Sequence, residues 1–76
     1  MTYTQAGPQG RMIIRTAAQG ISSHWLGRIT IMRIELRQGR IMRESYPVHP
    51  AQASETEALA LAGMAAGAFL EAEHLD

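Results

Sequence analysis

The chain has 76 residues, no cysteine, and seven arginines balanced by seven acids, so its formal net charge is zero. That length allows one domain, and so short a chain buries only roughly 60–65% of its unfolded surface, which makes for a thin core. Disulfides, thiolate metal sites and thiol chemistry are excluded by composition, leaving association with another chain as the simplest way to supplement the core.

Charge is laid out unevenly. Residues 1–43 hold all seven arginines and the single acid Glu35 (+6), whereas residues 44–76 hold six acids and no lysine or arginine (−6). The first residues lack a basic segment followed by an apolar run, so neither a signal peptide nor a membrane span is expected, and the expected location is cytoplasmic.

In chain order, residues 1–10 read as a short or frayed strand around Tyr3 and Thr4, followed by the turn-type cluster Gly7-Pro8-Gln9-Gly10. The antiparallel sheet is expected over 11–46. Arg11 to Ala17 is the first firm strand, ended by a loop over Gln19 to Ser23. The next strand, Trp25 to Arg37, alternates. Thr30, Met32, Ile34 and Leu36 form the side expected to face a helix, together with Arg28, and Ile29, Ile31, Arg33, Glu35 and Arg37 form the other. Gln38-Gly39 reads as a tight turn into a third strand, Arg40 to Tyr46. A two-residue loop opposes Leu36 with Ile41 and Arg33 with Glu44; a three- or four-residue loop turns Met42 inward, and both registers stay open.

Pro47 and Pro50 mark 47–53 as a stiff linker, since proline lacks a donor and biases its predecessor toward extended conformations. Ser54-Glu55-Thr56-Glu57 is a capping box that starts a helix over 54–75. Leu59, Ala62, Ala66 and Phe69 form its apolar stripe, with Leu61, Ala65, Ala68 and Ala72 beside it. Gly63 and Gly67 cost roughly 0.8–1.0 kcal/mol each relative to alanine, which suggests a close approach there. The expected fold is α+β in one domain, 1–76: a three- to four-stranded antiparallel sheet with one C-terminal helix packed on one face (β-β-β-α).

One helix covers one face. On this reading Ile29 and Ile31, with Ile13 or Ile14, are left on the other, and burying two isoleucines contributes on the order of 3–6 kcal/mol. A homodimer, formed sheet to sheet or through an edge strand, resolves the exposure, with Ile13, Ile29 and Ile31 as the expected contacts.

No catalytic, cofactor or metal constellation stands out. His24, His49 and His74 lie far apart, His74 suiting the helix C-terminus, and Ser22-Ser23-His24 lacks an orienting acid. Enzyme activity is not expected. The arginines offer a second function: Arg33, Arg37, Arg40 and Arg43 on phosphates with Trp25 or Tyr46 stacking on bases would make a sheet-based nucleic-acid binder. A third is a small-ligand pocket between helix and sheet, since a methyl-lined helix leaves room.

Trp25 and Gly27 opening a strand, Gly39 in the hairpin, Thr56-Glu57-Ala58, Gly63 and Ala68-Phe69-Leu70 resemble a pattern in short uncharacterised bacterial β-β-β-α proteins. The resemblance implies the fold and a near-terminal helix aromatic, Phe69 here, and no activity. The acid-rich tail departs from it. The first expectation is therefore a small non-enzymatic binding or assembly module acting as a homodimer.

Overall fold

The structure, a computed structural model, describes residues 2–7 and 10–74, with side chains through Ala72. The expected roles of Pro8 and Gln9 in a turn, and of the His74 side chain at the helix end, lie outside the described residues. Four strands, β1 (Thr2–Gly7), β2 (Gly10–Ile21), β3 (His24–Glu35) and β4 (Arg40–Gln52), precede one helix, α1 (Glu55–His74). The strands form an antiparallel meander in the order β1-β2-β3-β4. The helix packs on one face of it, against β2, β3 and β4. The fold is α+β as expected, and the residues before Arg11 supply a fourth strand.

On β2, Met12, Ile14 and Thr16 are buried while Arg11, Arg15 and Ala17 are exposed. Pairing carries this parity across the sheet, because residues opposite one another share a face. Ile14 opposes Ile31 and Thr16 opposes Ile29, so Ile29 and Ile31 lie beneath the helix in one cluster with Ala62 and Ala66. They are 5% and 1% exposed. This inverts the expected faces of β3: Thr30, Met32 and Ile34 point away from the helix.

Gly27 explains the choice. A Cβ added there would sit 2.7 Å from the Ala58 carbonyl oxygen and 3.3 Å from the Ala62 Cβ. A helix backbone can approach a strand that closely only over a residue without a side chain, and Gly27 shares its parity with Ile29 and Ile31. On the helix side the contact is made by Ala58, Ala62 and Ala66, each fully buried and four residues apart. The approach expected at Gly63 and Gly67 is therefore made elsewhere: Gly63 faces the Tyr3 hydroxyl and Gly67 open space.

The helix start follows the capping pattern, with the Glu57 amide donating to Ser54 Oγ at 3.2 Å. The Ser54 hydroxyl in turn donates to the Glu57 carboxylate at 3.0 Å, and the Ala58 amide donates to the Ser54 carbonyl at 3.1 Å.

The β3–β4 connection is the four-residue turn Leu36–Gly39, with Gly39 at φ +66°. Arg33 thus opposes Met42, and Glu44 opposes Ile31; the register of the two-residue loop is not adopted. Residues 47–52 continue β4 where a linker was expected. An edge strand tolerates Pro47 and Pro50, because on its outward side no donor is required.

Twelve residues of β3 extend about 40 Å, against about 30 Å for the 20 residues of α1. The helix reaches Arg33 at Phe69, whose ring lies 5.6 Å from the guanidinium carbon. Met42, opposite Arg33, is 50% exposed, and Leu36 in the turn and Ile41 on the face away from the helix are 67% and 66% exposed.

Replacing Gly27 by alanine is expected to destabilise the fold by about 1–3 kcal/mol through overpacking. Gly67→Ala, with open space around it, is expected to stabilise by about 0.8–1.0 kcal/mol. Urea unfolding of both variants checks the contrast, and equal shifts would contradict the packing described.

Candidate nucleic-acid interface

The face of the sheet opposite the helix is open, and register lays its side chains out in rows. Ala6, Arg11, Ile34 and Ile41 form one, followed by Thr4, Ile13, Met32 and Arg43. Next come Thr2, Arg15, Thr30 and Ser45, and then Ala17, Arg28 and Pro47. Each row carries one arginine. Arg28 donates through Nη2 to Ser45 Oγ at 3.2 Å, and Ser45 Oγ lies 3.5 Å from Thr30 Oγ1, which fixes all three on this side. Arg28 therefore does not face the helix, as had been expected from β3 alone.

Among the described residues no acid shares the face. The sheet's two carboxylates are Glu35, opposite Arg40, and Glu44, opposite Ile31, both on the helix side. Glu55, Glu57 and Glu71 are exposed on α1. Four of the seven arginines thus lie on the open face, while the described carboxylates lie on the helix side of the sheet or on the helix.

The structure redistributes the expected site residues. Of Arg33, Arg37, Arg40 and Arg43, only Arg43 belongs to the open face. Arg33 stacks on Phe69, Arg37 lies in the hairpin turn, and Arg40 opposes Glu35. Trp25, opposite Gly20, and Tyr46, opposite Ile29, lie on the helix side. The aromatic residues and the open-face arginines are therefore not brought together. Arg11 and Arg15 were missed, although their four-residue spacing on a strand puts them on one face. Of the expected dimer contacts, Ile29 and Ile31 are covered by the helix, and Ile13 is half-buried on the open face.

Ser23 Oγ lies 3.1 Å from Nδ1 of the adjacent His24, a neighbour contact on an exposed turn. Among the described residues no group of three or more His, Asp or Glu side chains could hold a metal ion. A cleft of about 660 Å³ opens beside β1, lined by Tyr3, Thr16, Thr56, Leu59, Gly63 and Met64. Its walls carry hydroxyls and no charge. No described helix is long and apolar enough to cross a membrane. No family model, no curated protein and no solved structure matches the chain.

Tyr46 donates its hydroxyl to the Glu44 carboxylate. This hydrogen bond, with lesser help from desolvation and the Glu44 charge, raises the phenol above its ordinary value of 10.0, against a lowering influence of Arg33. Glu44→Gln is expected to bring the Tyr46 titration down towards that ordinary value. Spectrophotometric titration of the phenolate checks it; an unchanged curve would remove Glu44 as the cause.

Proposed function

We propose that the protein is a non-enzymatic, cytoplasmic binding module that holds nucleic acid on the open face of its sheet. The observation that carries this is the set Arg11, Arg15, Arg28 and Arg43, one in each successive row, with no carboxylate among them. Rows are two residues apart along a strand, about 6.6 Å, so the four guanidiniums spread along about 20 Å of sheet. Across it, β2 to β4 measures about 10 Å. Duplex DNA carries one phosphate charge per about 1.7 Å of axis and has a major groove about 12 Å wide. A face of these dimensions can set its arginines against phosphates bordering a groove.

Duplex is favoured over single strands. Single-strand binders rely on aromatic platforms for base stacking, and Trp25 and Tyr46 face the other way. Zero net charge is no obstacle, because the field that matters is local. The body is 16 Å thick in its smallest dimension, and the helix acids lie across it, beyond a Debye length of about 8 Å at physiological salt; Glu35 and Glu44 are nearer, but their side chains are on the other face of the sheet.

Anisotropy titrations with labelled duplex and single-stranded oligonucleotides across a salt series test the proposal. Four phosphate contacts at about 0.9 each give an expected slope of log K against log salt of about −3.6. Arg15→Ala or Arg43→Ala should reduce that slope by about 0.9, while Arg37→Ala should leave it unchanged. No binding at low salt would end the proposal, and a preference for single strands would overturn the assignment to duplex.

A further inference from the structure

The exposed large apolar side chains are not scattered. Of Ile21, Leu36, Ile41, Met42, Tyr46 and Met64, four lie on β4 or in the hairpin that leads into it. β4 is also the longest strand, 13 residues, and it pairs with β3 alone among the described residues. Pro47 and Pro50 protect its second half, since proline cannot donate to a new neighbour. The first half, Arg40 to Tyr46, has no proline. The other free edge, β1, is only six residues long and carries none of the exposed apolar side chains.

We propose that this half of β4 pairs antiparallel with the same segment of a second copy, about a two-fold axis that passes between the two Met42 residues. Such an isologous contact requires an axis normal to the sheet, which keeps both helices on one side and lets only residues of equal parity face one another. Few registers remain. Centring on Arg43 or on Glu44 sets like charges together, and centring on Ser45 brings Pro47 into the ladder. Centring on Ile41 confines pairing to the hairpin end. Centring on Met42 opposes Arg40 with Glu44 twice, Ile41 with Arg43 twice and Met42 with its copy, with no like charges opposed. The Tyr46 hydroxyl bond holds the Glu44 carboxylate at this edge and leaves acceptor positions free for a guanidinium.

Charge also argues against the other way of pairing two copies. Open face against open face would bring each set of Arg11, Arg15, Arg28 and Arg43 against the other. Edge pairing instead joins two sheets into one of eight strands, with both arginine faces on the same side. It uses the strand edge, not the open face, and shares only Arg43 with the nucleic-acid site; the variants at positions 40, 42 and 44 leave that arginine in place, so the two proposals are tested separately. Pairing over residues 40–44 is small for a protein interface, so the dimer is expected to be concentration-dependent.

Light scattering over a concentration series should show the mass rising from 8.3 kDa towards twice that value. Glu44→Arg and Arg40→Glu each set like charges opposite one another at both positions, so each alone should stay monomeric, and an equimolar mixture should recover the dimer. Arg40→Glu also meets Glu35 within its own chain, so a second readout is needed. The chain has no cysteine, and Met42→Cys should give a covalent dimer on mild oxidation, whereas Ser45→Cys should not. A monomer at every concentration would overturn the proposal, as would undiminished dimerisation of both charge variants or equal cross-linking at positions 42 and 45.

Discussion

The fold depends on one close approach, that of the α1 backbone at Ala58 to β3 at Gly27. With a thin core and no disulfide, the protein gains most by bringing two layers near enough for methyl groups to fill the space between them, as Ala58, Ala62 and Ala66 do. Gly27 sets where that happens, and parity does the rest. Once the helix lies over Gly27, it lies over Ile29 and Ile31, and through the β2 register over Ile14 and Thr16. Burial of an isoleucine contributes about 1.5–3 kcal/mol, so the covered face of the sheet is fixed by several such terms that depend on one missing side chain.

The same choice determines the open face. Arg28, Thr30, Met32 and Ile34 turn outward because Gly27, Ile29 and Ile31 turn inward, and β2 adds Arg11, Ile13 and Arg15. Arginine stems can lie along apolar surface with the guanidinium in water. Ile13 sits between Arg11 and Arg15 on this face, and Met32 is opposite Arg43. That placement accounts for a face rich in isoleucine and methionine on which Ile13, Met32 and Ile34 remain half-buried. Arginine here can serve as cover and as charge together.

Much of this was legible in the sequence, and the misplaced faces have one origin. The Ser54–Glu57 cap, the helix and the sheet stand out because capping chemistry and alternation are local signals. β3 is apolar on both sides, so alternation shows that it has two faces and not which one the helix takes. The sequence carried a deciding clue in Gly27, two residues ahead of Ile29 on the same side. Close approach was instead expected at Gly63 and Gly67, because glycine is conspicuous in a helix and ordinary near a strand end. From that inversion followed the misplacement of Arg28 and Arg33 and the expectation that Ile29 and Ile31 seek a companion. The hairpin register was left open between two choices, since Gln38-Gly39 suits a short turn and only the adopted Leu36–Gly39 loop decides between them.

Layer lengths connect the two surfaces. A helix of 20 residues cannot cover strands of 12 and 13, because a helix rises about 1.5 Å per residue and a strand about 3.3 Å. The excess appears at the β3–β4 hairpin, where Met42, on the helix side, is left half-exposed, while Ile41 points to the open face. Long strands also extend the open face beyond what a short helix could support, which gives the arginines room to be spaced by rows. A longer helix would bury the hairpin but would carry its acidic end out over it, weakening the separation of charge between the two faces. Extended basic face and exposed edge are therefore two results of one mismatch between sheet and helix.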